Sequence, residues 1–187
     1  MQAVQPDEYY TYADYCKWPE DERWELIDGR AYAKATPVIS HQVIVGRVFR
    51  QLSDFLEKHQ CNVFIAPVSV RLNADNKDDV VVEPDILIVC DESKLADGKG
   101  VVGAPDFIVE VLSPSTAAHD WKTKYGLYQK YGVKEYWIAD PGNRMLAVNI
   151  LENDNYVTQV YTNEETDVPV SVLEGCTINL AEIFKGL

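Results

Sequence analysis

The sequence predicts an α/β or α+β chain built on a mixed central β-sheet, with a long helix on one face. Three observations carry this. From about Val38 to His59 the apolar residues Val45, Val48, Phe49, Leu52, Phe55 and Leu56 recur at helical spacing with charges between them. Two runs, Val80–Val89 and Pro105–Leu112, are almost continuously apolar and β-branched, the pattern of strands buried on both faces. Residues 106–139 read as strand, helix, strand, which predicts a right-handed crossover between parallel neighbours.

The elements follow in order. Thr11 caps one helical turn ending at Tyr15. Trp24–Ile27 and Arg30–Ala33 form a hairpin around Asp28-Gly29, a pair suited to a two-residue turn because both positions need positive φ. The long helix comes next, then strands at Asn62–Pro67 and Ser69–Leu72, a polar loop at 73–79, the Asp85 strand, a loop from Asp91 to Ala104 and the Glu110 strand. Ser113-Pro114-Ser115-Thr116 ends that strand and prepares a helix from about Ala118 to Tyr131, stopped by Gly132. Glu135–Ala139 is a strand. Met145–Leu151 and Tyr156–Tyr161 form a hairpin around Asn153-Asp154-Asn155. Val168–Val172 and Leu180–Phe184 give a last strand and a short helix. With 187 residues, 47% of them hydrophobic, the chain is expected to be one domain. Its core spans about residues 20–141, and a C-terminal β-hairpin extension covers about 145–187.

Composition narrows the function classes. No run of about eighteen apolar residues exists, so no transmembrane helix is expected. Residues 1–8 have neither the basic start nor the apolar run of a signal peptide, and a cytoplasmic location is expected. Cys16, Cys61, Cys90 and Cys176 are scattered without a C-x-x-C, which reads as free thiols in a reducing compartment, not a zinc site. The formal net charge of −13 argues against a protein that coats nucleic acid non-specifically. It leaves room for a nucleic-acid enzyme, because screening confines charge effects to about 8 Å at physiological salt and a local site can prevail.

The chemistry is expected from acids in costly places. Asp85, Asp106 and Glu110 interrupt the two apolar runs, where a carboxylate must be paired, protonated or bound to a metal. Alternation puts Asp106 and Glu110 on one strand face, and Asp85 with Leu87 and Val89 on a face of the other. If the strands are neighbours, Asp85 and Glu110 meet and form a hard-oxygen site for a divalent cation. Asp106, after Ala104-Pro105, reads better as a turn residue. Lys122 and Lys124, on the following helix, are either solvated lysines or the lysine that completes a phosphodiester-hydrolysing set. Asp120 reads as a first-turn acid favouring the helix dipole. Glu25 is either a further cluster member or an exposed sheet residue. His41, alone at the start of the long helix, reads as structural. His119 is the nearest histidine to Ser113, Ser115 and Thr116, for which capping is the better reading. A basic strip along Lys122, Lys124, Lys130 and Lys134 would favour nucleic acid. No nucleophile elbow, zinc-protease, phosphate-loop or dinucleotide motif is present.

Three stretches together resemble the Uma-two family. They are Glu83-Pro84-Asp85-Ile86-Leu87-Ile88-Val89; Gly103 through Thr116 with Asp120, Lys124 and Tyr128; and Gly132-Val133-Lys134-Glu135-Tyr136-Trp137-Ile138-Ala139-Asp140-Pro141. Trp24-Glu25-Leu26-Ile27-Asp28-Gly29-Arg30 matches the family's N-terminal motif, and the resemblance covers roughly residues 10–185. It implies a restriction-endonuclease-like fold of the PD-(D/E)XK nuclease superfamily, a mixed sheet flanked by helices with additional N- and C-terminal strands. It implies Mg²⁺ or Mn²⁺ as cofactor and DNA as substrate. Asp85 and Glu110 match the metal-binding acids, Glu25 the N-terminal acid, and Lys124 a lysine moved to the following helix, since Leu112 stands where the usual lysine would be. A homodimer is expected because cleaving two strands needs two sites. The competing expectation is a catalytically inactive nuclease-fold module for oligomerisation or partner binding, which the acidic charge favours.

Overall fold

The computed structural model describes residues 8–19, 21–113, 117–162 and 166–187. In chain order the elements are α1 (Tyr12–Tyr15), β1 (Trp24–Ile27), β2 (Arg30–Ala33), α2 (Ile39–Leu56), β3 (Asn62–Ile65), β4 (Val70–Arg71), β5 (Val81–Val82) and β6 (Ile86–Val89). Then come β7 (Val101–Val102), β8 (Phe107–Val111), α3 (Tyr125–Tyr131), β9 (Glu135–Asp140), β10 (Met145–Glu152), β11 (Asn155–Tyr161), β12 (Asp167–Pro169), β13 (Thr177–Asn179) and α4 (Leu180–Phe184).

The main sheet has the order β11-β10-β9-β8-β6-β3 and is mixed. Its β8–β9 pair is parallel, as the strand–helix–strand unit requires, and its other pairs are antiparallel. A smaller sheet has the order β2-β1-β5-β4-β7, and β12 pairs with β13. The alternation of side chains gives the main sheet two dry faces. Ile86, Ile88, Phe107 and Val109 point to one, where Ile44, Val48 and Leu52 of α2 cover them with Ile183 and Phe184 of α4. Leu87 and Ile108 point to the other, against Tyr128 of α3 and Val70 and Val82 of the small sheet. Truncating a side chain as enclosed as Leu52 costs about 2–5 kcal/mol.

Local chemistry accounts for the boundaries. Asp28 and Gly29 have φ of 47° and 76°, as the tight β1–β2 turn demands. Gly132 closes α3 in the left-handed region at φ 80°. Asn153 and Asp154, at φ 47° and 65°, make the β10–β11 turn.

Four expectations are corrected. The run Val80–Val89 is two strands in two different sheets. It breaks at Glu83-Pro84, where proline offers no N–H for a ladder, and Asp85 lies just ahead of β6 with its carbonyl accepting from Ala66 N–H at 3.0 Å. The loop after Asp91 contains a 3₁₀ turn (Glu92–Leu95) and β7, and the tail holds a further strand, β13. Cys61 and Cys90 are not free thiols. Asn62 pairs with Val89, so the two cysteines flank the end of the antiparallel β3–β6 pair with Cα atoms 4.0 Å apart, and they form a disulfide. Cys16 and Cys176 are free, Cys16 exposed and Cys176 buried. The capping role read for Ser115 and Thr116 falls outside the described residues.

Candidate functional site

The β6–β8 register sets the site. Ile86 faces Val109 and Leu87 faces Ile108, so one step further Asp85 comes opposite Glu110. Asp85 Oδ2 accepts the Val111 N–H at 2.8 Å, which fixes the carboxylate against the β8 backbone. His41 from the first turn of α2 places Nε2 3.0 Å from the same oxygen. Burial works against ionisation of Asp85, but the hydrogen bond and charge contributed by His41 hold its pKa below the usual carboxylate value.

Glu110 and Glu25 share one ammonium group. Lys124 Nζ lies 2.8 Å from Glu110 Oε1, 2.8 Å from Glu25 Oε1 and 3.8 Å from Asp120 Oδ1. Tyr128 OH donates to Glu110 Oε1 at 2.8 Å. Asp120, Lys124 and Tyr128 all turn inward although a π-helical stretch, His119–Lys124, leads into α3. Such wide turns recur at functional sites because they re-aim side chains without ending the helix. Glu25 accepts the Glu83 N–H at 3.0 Å and lies 3.5 Å from Lys34 Nζ, which also donates to the Glu83 carbonyl at 2.5 Å. Arg23 pairs with the Glu83 carboxylate at 2.9 Å.

The two glutamates diverge in proton affinity. Burial disfavours the charge on Glu25, yet Lys124 and Lys34 overcome it and bring its pKa down to about 2. At Glu110 burial wins: together with the nearby Asp85 and Asp120 carboxylates it outweighs Lys124 and pushes the pKa up to about 8. Lys124 is desolvated too, but Glu110, Glu25 and Asp120 raise its pKa well above the ordinary lysine value, so it stays cationic.

These groups open on a cleft of about 90 Å³, lined by Lys34, His41, Asp85, Glu110, Asp120 and Lys124 among others. That is room for a few waters or a phosphoryl group. Among the described residues no group of three or more His, Cys, Asp or Glu side chains is gathered as a ready metal cage. Mg²⁺ does not require one, since one or two carboxylates, waters and substrate phosphate complete its shell. The donors fit such an ion: Asp85, Glu110 and Asp120 line the cleft with hard carboxylate oxygens, and a bound cation would favour the ionised form of Glu110 that burial otherwise disfavours.

The geometry gathers Asp85, Glu110, Lys124 and Glu25 and sorts the alternatives. Lys122 is exposed on the outer face, so Lys124 is the lysine that turns inward. Asp106 stands apart, bound to Lys134 Nζ at 2.6 Å and to the Cys90 N–H at 2.8 Å. The basic strip does not form: Lys124 is buried, Lys134 pairs with Asp106, and Lys130 lies 3.5 Å from Asp28. Asp120, read as a dipole-facing acid, lines the cleft. Lys34 had no signal in the sequence. His41 had one, since it begins the buried stripe His41, Ile44, Val45, Val48, Leu52 and Leu56, where a polar residue needs a partner.

Comparison with known proteins agrees with this architecture. A family model described as "Uma2: Putative restriction endonuclease" matches residues 11–181. Two Synechocystis proteins described as uncharacterized are similar. One, slr1290, is 30% identical over 118 residues, 62% of this chain, and the match spans 60% of that relative's length. The other, sll1609, is 26% identical over 144 residues, 75% of this chain and 80% of its own length. The crystal structure of a protein from Anabaena variabilis described as a "putative nuclease belonging to DUF820" superimposes with a TM-score of 0.76 at 20% identity. It covers 94% of this chain and 97% of its own. The fold is therefore restriction-endonuclease-like.

Proposed function

The chain belongs to the Uma2 family, and from that premise we propose that it is a divalent-metal-dependent endonuclease hydrolysing DNA phosphodiester bonds. The observation that carries the reading is the facing of Asp85 and Glu110 across β6–β8, with the Lys124 ammonium between Glu110 and Glu25. Asp85 and Glu110 would hold Mg²⁺ or Mn²⁺. When bound, the ion supplies Lewis-acid stabilisation of a phosphoryl oxygen and lowers the pKa of water. Lys124 is permanently charged, so it acts as a hydrogen-bond donor to the attacking water or a phosphoryl oxygen and not as a base. Glu25 and Tyr128 fix the Lys124–Glu110 geometry, and His41 fixes Asp85. Cleavage of both strands of a duplex needs two such sites, which a homodimer supplies.

A second reading is favoured by one observation, the net charge of −13 without a basic strip along Lys122, Lys124, Lys130 and Lys134. In it the domain is an inactive nuclease-fold module for oligomerisation or partner binding. Incubating the protein with supercoiled plasmid and with single-stranded DNA, in Mg²⁺, Mn²⁺ or chelator, separates the two. Metal-dependent scission supports the endonuclease. A folded protein that binds Mn²⁺ and cuts neither substrate supports the module.

A further inference from the structure

Among the described residues β11 is an open edge of the main sheet, and it differs from the other edges of the two larger sheets. Edge strands are a hazard because their unpaired N–H and C=O groups accept any extended chain, and proteins blunt them with shortness, charge or proline. β3, at the other end of the main sheet, is four residues long and is soon followed by Pro67; β7 is two residues long; β2 is four residues long and begins with Arg30. β11 has none of these protections. Asn155-Tyr156-Val157-Thr158-Gln159-Val160-Tyr161 is seven residues without a charged side chain or a proline. Val157 and Val160, on opposite faces, are 52% and 50% exposed. Among the described residues no strand pairs with its outer side.

The backbone directions follow from two hydrogen bonds. Leu151 faces Tyr156 across the hairpin, yet Leu151 N–H donates to the Lys134 carbonyl and Tyr156 N–H to Gln129 Oε1. The pair therefore turns its polar groups away from each other, and by alternation Tyr156, Thr158 and Val160 present theirs to the outer edge.

We propose that β11 is the homodimer interface, pairing antiparallel with β11 of a second copy about a two-fold axis at Thr158. This placement deepens the dimer suggested above and rests on it, not on catalysis. Thr158 then exchanges both main-chain hydrogen bonds with the partner subunit's Thr158. Each Val160 N–H donates to the carbonyl of the partner subunit's Tyr156. Side by side, Tyr156 meets Val160, an aromatic and β-branched pair suited to cross-strand contact, and Val157 meets Gln159. The occupant is a second copy because an isologous contact is self-complementary, and because a body of net charge −13 meets its own kind with least repulsion where a strand carries no charge.

Sedimentation velocity on the full chain without nucleic acid is the test. The expected result is twice the chain mass for the wild type and the single-chain mass for V160K, with unchanged circular dichroism. V157K, at an equally exposed position, is expected to match it. Thr158→Cys in a Cys16→Ser background is expected to give a covalent dimer on mild oxidation. A monomeric wild type overturns both the dimer and its placement. A dimeric wild type whose mass survives V160K and V157K, or whose Thr158→Cys form does not cross-link, overturns the placement alone. Neither result bears on scission, which the plasmid assay reads separately.

Discussion

Lys124 Nζ and Glu110 Oε1 meet at 2.8 Å with both side chains closed to bulk solvent. The same ammonium lies 2.8 Å from Glu25, which is fully buried. A buried charge that loses its partner is left desolvated and uncompensated. Lys124→Met is therefore expected to destabilise the protein by about 3–5 kcal/mol at neutral pH. The deficit shrinks in acid, because Glu25 without its cation takes a proton more readily. Urea unfolding at two pH values checks both; an unchanged midpoint at neutral pH would contradict the pairing.

His41 is expected to act through Asp85. Removing the group that orients a metal-binding side chain typically lowers metal affinity about 10–100-fold. His41→Ala should weaken Mn²⁺ binding by that order in isothermal titration while the protein stays folded. Wild-type affinity would make His41 merely structural.

Asp106 provides the contrast. Its partners are Lys134 and the Cys90 N–H, away from the cleft. Asp106→Ala should cost about 1–3 kcal/mol of stability and leave Mn²⁺ affinity unaltered. Asp85→Ala should abolish Mn²⁺ binding.

His119 gives a pH signature. Burial, reinforced by Lys124, lowers its pKa from 6.5 to about 4. The unfolded chain takes up this proton below 6.5 and the folded chain not until about 4, so stability falls as pH drops through that interval. The wild type should lose more unfolding free energy than His119→Gln between pH 7 and 5, as read by urea titration. Equal losses would show that His119 is not held neutral.

The Cys61–Cys90 disulfide closes a loop with a sequence separation of 29. Loop-closure entropy assigns such a link about 3–4 kcal/mol. A reductant, or Cys61→Ser, should lower the urea midpoint accordingly, while Cys16→Ser should not.

Much of the site was legible because misplaced charge is conspicuous. Asp85 and Glu110 stand out in apolar runs, and the facing geometry follows once those runs are adjacent. The choice of Lys124 over Lys122 was not legible from helical periodicity, since a π-helical stretch alters the phase of that segment. Lys34 reaches the cleft from the end of the β1–β2 hairpin through a tertiary contact that no local pattern encodes, whereas His41 is marked only as a polar residue on the buried stripe of α2, with its partner Asp85 set by tertiary packing. The Val80–Val89 run misled because both halves are buried strands and only Pro84 marks the change of sheet. No sequence spacing signals the disulfide, because Cys61 and Cys90 are related by strand register.

In the proposed reaction Asp85 and Glu110 together sustain metal-dependent hydrolysis. The most direct measurement is the Mn²⁺-dependent conversion of supercoiled plasmid to nicked and linear forms by the wild type, Asp85→Ala and Glu110→Ala, purified identically and shown to be folded. Conversion by the wild type alone is the expected result. Equal conversion by all three proteins would contradict it.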